Sequence, residues 1–167
     1  MASALNREKL ARAAGALNAR RRHGALPALI LMTDEKRVPH PVATAAFLPR
    51  GSAIILRHTK PKARAELGRA LAKIARARGL LLLVAGDVQL AADIGAHGLH
   101  LPEARAREAA HWRALKPAWL ITAAAHSLRG LMTARIAGVL IEVLQSVPAR
   151  ARTRPPYASL WARVVHP

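Results

Sequence analysis

The residues of this chain best suited to chemistry lie where apolar runs give way to polar ones. Arg57 follows AIIL, Asp87 follows LLLVAG, Glu103 follows HGLHLP, and His126 with Ser127 follows WLITAAA. A guanidinium offers a planar fork that grips a phosphate or a carboxylate. Arg57 is therefore either a phosphate ligand or a surface ion-pair partner for Glu103. Asp87 and Glu103 are the acids placed to hold a metal, because hard cations take carboxylate oxygens. His126 carries an imidazole, a group that can move a proton. The other polar residues nearby read as structural. His100 sits inside an apolar run and is expected to be buried and hydrogen-bonded. Asp34 is expected to cap the segment after the first run. His58, the neighbour of Arg57, projects to the opposite side of an extended chain and is expected outside the site.

Five short apolar runs must position these groups: LILMTD at 29–34, AIILRH at 53–58, LLLVAGD at 81–87, HGLHLPE at 97–103 and WLITAAAHS at 119–127. Each is too short for a globular helix, is flanked by Gly or Pro, and is mostly separated from the next by an Ala/Arg/Leu stretch of helical length. That is the rhythm of repeated βα units. In a parallel sheet the polar residues at strand C-termini share one rim, where α/β enzymes place their chemistry.

The spacing predicts a helix over 3–22, carried by Leu5, Leu10, Ala14 and Leu17, then a strand at 28–32 and a short helical piece at 41–47. A strand at 53–57 leads to a helix from Pro61 to Arg78, with Pro61 suited to the first turn and Gly79 to the end. Further strands are predicted at 80–84, 98–101 and 119–123, with helices at 88–94, 103–115 and 128–137, the last capped by Ser127. A sixth strand follows at 139–144. Residues 1–148 thus read as a partial barrel and 149–167 as a basic irregular tail. Six βα units do not close an eight-stranded barrel, so the expected fold is α/β, an incomplete (β/α) barrel of the TIM type. Its open apolar edges predict self-association.

Composition sets the outer bounds. The 167 residues suit one domain, and 52% hydrophobic content is ample for a core. With no Cys, disulfides, thiolate catalysis and thiolate metal sites are excluded. No apolar run approaches the ~20 residues a bilayer requires, and the N-terminus lacks the apolar block of a secretory signal. A cytoplasmic, membrane-free protein is expected. The net charge of +18 invites a nucleic-acid reading. The cations, however, are strewn along the helices at Arg64, Arg69, Lys73, Arg76 and Arg78, as a solvated outer face requires, and no aromatic residues interleave with them. Nucleic acid is not the expected partner. Anionic small molecules would be drawn to such a field.

Taken in order, LILMTD, LR with a nearby Lys, a buried strand ending in a small polar loop, GAHGLHLPE and AAAHS resemble the thiamine phosphate synthase and thiazole tautomerase superfamily over residues 28–138. GAHGLHL at 95–101 is the strongest piece. The resemblance implies a (β/α) barrel. Its synthase members are transferases that join a pyrimidine pyrophosphate to a thiazole phosphate with Mg²⁺ and release pyrophosphate. Tautomerase members shift a proton on a thiazole carboxylate phosphate. It further implies that Arg57 contacts pyrophosphate, that Lys60 stands in for a lysine whose place Thr59 has taken, and that Glu103 occupies the position of a substrate-side glutamine. His126 matches the proton-transfer histidine of the tautomerases.

The metal positions depart from the pattern. The family's Asn-Asp pair falls on Ala85 and Gly86, leaving Asp87 as the candidate Mg²⁺ ligand, and its second aspartate falls on Arg105. LQSVPARART stands where synthases carry a GPVFPT-like loop. Two alternatives accompany the synthase reading: a metal-independent, tautomerase-like enzyme using His126, and a non-catalytic phosphate-binding descendant.

Overall fold

A computed structural model of the chain describes residues 4–19, 27–136 and 140–142. Strands and helices alternate along it: α1 (Ala4–Ala19), β1 (Ile30–Met32), α2 (Pro41–Ala46), β2 (Ala53–Leu56), α3 (Pro61–Arg78), β3 (Leu81–Ala85), α4 (Val88–Asp93), β4 (Gly98–Leu101), a 3-10 helix (Glu103–Glu108), α5 (Ala109–Leu115), β5 (Leu120–Ala124), α6 (Leu128–Ile136) and β6 (Leu140–Glu142). Two compact units divide these elements. One runs to His100 and includes Ala118–Leu120; the other comprises Leu101–Pro117 and the chain from Ile121.

In the first unit, β1, β2, β3 and β4 pair in parallel and in chain order. Ile30 lies opposite Ala53, Ala53 opposite Leu81, and Leu83 opposite Gly98. Parallel strands covered on both faces read as unbroken apolar runs instead of alternating ones. That is why AIIL and LLLV carry no period of two: Ala53 to Leu56 and Leu82 to Val84 are all fully buried. The helix α3 presses Leu71, Ala72 and Ala75 inward. At Gly68 a Cβ would stand 3.1 Å from Leu56 and from Ile94, so the small residue sets the closeness of helix to sheet. Pro61 opens α3 without losing a needed N–H, and Gly79, at φ 63°, closes it in the left-handed region that suits glycine. Leu120 also belongs here, its N–H donating to the His97 carbonyl at 2.9 Å.

In the second unit β5 and β6 pair in parallel, with Thr122 opposite Leu140 and Ala124 opposite Glu142. Thr122 to Ala125 are buried. The stretch expected as one helix over 103–115 is instead a 3-10 helix followed by α5. Two features account for the tighter start. Arg105 N–H bonds the Pro102 carbonyl, a three-residue closure, and Arg105 pairs with Glu108, which a period of three brings into register.

The remaining strands and helices fall within a few residues of their expected bounds, because Gly and Pro punctuate both sequence and structure. No described helix is long and apolar enough to cross a membrane. The expected tail at 149–167, the ends of the sixth strand at 139 and 143–144, residues 3 and 20–22 of the first helix and residue 137 of the last lie outside the described residues.

Candidate functional site

The C-terminal ends of β1, β2 and β3 in the first unit carry a connected set of polar groups. Thr33, one residue past β1, is fully buried. Its Oγ1 accepts the Arg57 N–H at 2.9 Å and pairs with His58 Nδ1 at 3.1 Å. A buried hydroxyl needs partners, and these two come from the end of the neighbouring strand. Thr33 therefore fixes where Arg57 leaves β2. The Arg57 side chain is exposed, with the Asp34 carboxylate within electrostatic reach.

Lys60 shares the β2–α3 loop with Arg57 and is also exposed. Thr59, between them, is held by Glu35, whose Oε1 accepts the Thr59 N–H at 3.2 Å and its hydroxyl at 3.3 Å. The Thr59 backbone bond, first among the causes, lowers the Glu35 pKa. Asp34 caps a turn rather than a helix: its Oδ1 accepts the N–H groups of Lys36 at 2.9 Å and Arg37 at 2.8 Å. The Arg37 bond, followed by the Lys36 bond, holds the Asp34 carboxyl below its ordinary value.

Arg64, read from sequence as part of a solvated helix face, is half-buried and turned toward the strand ends. Its Nη1 donates to the His58 carbonyl at 3.0 Å and its Nη2 to the Ala85 carbonyl, at the end of β3. Its Nε is buried with no partner among the described residues. Nothing in the sequence separates Arg64 from the other cations of α3, since Lys62 shares its first turn. Thr33 had one available signal, a hydroxyl immediately after a strand. His58, expected outside the site, bonds to the residue that anchors Arg57 and is part of the frame.

At the end of β3, Gly86 takes φ 66° and its N–H reaches the His100 carbonyl at 2.9 Å. Asp87, the candidate metal ligand, caps α4, its Oδ1 accepting the Leu90 N–H at 2.9 Å. His100 is buried in β4, and its carbonyl accepts that Gly86 N–H. His97 accepts the Leu82 N–H on Nδ1 at 3.1 Å; burial first, then the Arg76 charge, depress its pKa.

In the second unit Glu103 and His126 come together. The Glu103 carboxylate accepts the His126 backbone N–H and the Ser127 hydroxyl, the latter at 2.6 Å. Ser127 Oγ in turn accepts the Gly130 N–H at 2.9 Å, which is the cap of α6. A Cβ at Gly130 would collide with the Glu103 carboxyl. The Ser127 bond, with the His126 N–H second, lowers the Glu103 pKa. Glu103 is thus an ionised brace for the β5–α6 loop that presents the exposed His126. Arg105 points to Glu108, at 2.6 and 2.7 Å, and holds that carboxyl down to about 2.

Among the described residues these carboxylates do not by themselves build an all-protein Mg²⁺ cage. Mg²⁺ asks for several oxygens in near-octahedral array. Among the described residues no three His, Asp or Glu side chains cluster to hold a metal. Asp87 brings a single carboxylate already capping a helix, and both Glu103 oxygens accept protein hydrogen bonds. Without a metal, the first unit can bind an anion at Arg57 and Lys60, and the second, taken by itself, presents an imidazole at His126.

Comparison with known proteins bears on both fold and family. Thiamine phosphate pyrophosphorylase from Pyrococcus furiosus is similar in structure, with a TM-score of 0.57 and 20% identity, over 74% of this chain and 63% of that one. The chain thus spans less than two thirds of that relative's length. The likeness shows the fold: α/β, an incomplete TIM-type barrel. No curated protein matches the sequence. The profile of the family described as thiamine monophosphate synthase matches residues 29–142, two thirds of the sequence and every strand described above. This chain belongs to the thiamine monophosphate synthase family.

Proposed function

We propose that this chain binds the phosphate end of a thiamine precursor at Arg57 and Lys60, and that its reaction is the synthase one: joining a pyrimidine pyrophosphate to a thiazole phosphate with release of pyrophosphate. The observation that carries the reading is Arg57, exposed at the end of β2 with its backbone pinned by the buried Thr33. A guanidinium presented from a fixed backbone can grip two phosphate oxygens at once, and Lys60 adds a second positive charge on the same loop. Both charges favour a departing pyrophosphate, whose negative charge grows as its bond breaks. A cytoplasmic location belongs to the same reading.

Titration calorimetry with pyrophosphate and with thiazole phosphate, each with and without Mg²⁺, tests it. Binding of both ligands, with pyrophosphate affinity lost in Arg57→Ala, is the expected result. A wild-type chain that binds neither would overturn it and leave a descendant with another ligand.

One observation favours a second reading. Both Glu103 oxygens accept protein hydrogen bonds, in a loop that presents His126. That arrangement suits metal-independent proton transfer on a phosphorylated heterocycle, with His126 as the carrier. Proton exchange on thiazole carboxylate phosphate, unaffected by chelators and abolished by His126→Ala, would decide for it.

A further inference from the structure

We infer that Arg64 is a positioning residue for the Arg57 phosphate site, an inference that rests on the reading of Arg57 as a phosphate ligand. Parallel strands all end at one rim, and the carbonyls there present oxygen to whatever binds above them. An anion arriving at that rim meets like partial charge. Arg64 addresses two of these oxygens at once. Its Nη1 takes the His58 carbonyl, one residue past Arg57, and its Nη2 takes the Ala85 carbonyl that ends β3. The guanidinium therefore removes two acceptors from the rim and sets a permanent positive charge beneath it.

The same contacts fix the loop. Thr33 holds the Arg57 N–H, Arg64 holds the next carbonyl, and Glu35 holds the next N–H, at Thr59. Three successive backbone positions are thus tied by side chains from the residue after β1, from α3 and from the turn that follows β1. Arg64 is the one that also reaches the neighbouring strand. The cost is visible at its Nε, buried without a partner among the described residues. A side chain needed only for packing would not leave a donor so placed; a planar fork aimed at two carbonyls does.

Pyrophosphate binding to the full chain provides the test, with Arg64→Ala, Arg64→Lys and Arg57→Ala compared by calorimetry and circular dichroism. Arg64→Ala should weaken pyrophosphate affinity about tenfold with the fold retained, since a charge-assisted hydrogen-bond set of this kind is lost. Millimolar guanidinium should restore most of that affinity, which a purely structural loss would not allow. Arg64→Lys keeps the charge but cannot span both carbonyls in one plane, and should fall between wild type and Arg64→Ala; it also serves if Arg64→Ala fails to fold.

Wild-type affinity in the Arg64 variants, or a loss that guanidinium leaves untouched, overturns the positioning role. Absence of pyrophosphate binding in the wild type, or an unchanged Arg57→Ala, overturns the phosphate-site reading and this inference with it. The two failures are therefore told apart by the Arg57 variant.

Discussion

Thr33 is a fully buried hydroxyl whose oxygen accepts the Arg57 N–H. Replacing it with Val keeps the shape and leaves the Arg57 N–H without its acceptor, and this should cost about 1–3 kcal/mol, read as a lowered urea midpoint. Arg57 is the converse case, its side chain exposed with the Asp34 carboxylate within electrostatic reach. Arg57→Ala should shift stability by less than about 0.5 kcal/mol while weakening pyrophosphate binding roughly tenfold or more. Glu108 supplies a pH signature. Arg105 lowers its folded pKa from the ordinary 4.5 to about 2, so the pair's contribution is fully present above 4.5 and disappears as pH falls toward 2. Glu103, lowered by Ser127, acts in the same direction. The urea midpoint should accordingly fall through that window, and in Glu108→Gln the fall should be shallower. An identical acid limb in the variant would show that the pair contributes nothing to folding.

Elements meet most closely at Gly98 and Gly130. A Cβ at Gly98 would collide with the Leu120 backbone, which a flexible side chain cannot relieve. Gly98→Ala should therefore destabilise by about 3 kcal/mol or more, the overpacking range, or abolish soluble expression. Gly79→Ala is milder: it forces a side chain into the left-handed cap of α3 and should lower stability by about 1 kcal/mol. The split between the 3-10 helix and α5 was not legible in the sequence, because an Ala/Arg/Glu run is helical by propensity. The Pro102 carbonyl and the Arg105–Glu108 pair decided it locally. The caps were legible: Ser127, Pro61 and Gly79 stand in the sequence where their elements begin and end.

For the molecule as a whole, self-association remains the proposal we attach to its surface. On α6, Met132 is 59% and Ile136 is 89% exposed, one helical turn apart. Light scattering should reveal concentration-dependent species, and Met132→Glu with Ile136→Glu should shift them toward monomer; a monodisperse wild-type monomer would sink the proposal. The sequence by itself determined the fold class, the strands and the family. Both-face burial in a parallel sheet writes itself as short unbroken apolar runs, and turns write themselves as Gly and Pro. It also brought Arg57, Asp87, Glu103 and His126 to strand ends, since the βα rhythm fixes where strands stop. Their contacts were decided only in three dimensions. Asp87 caps a helix, Glu103 braces a loop, and Arg64 reaches two strand ends from a helix whose other cations stay in solvent. A carboxylate or guanidinium bonds whatever donor or acceptor lies within about 3 Å, and those partners come from other elements, at distances along the chain that no local pattern records.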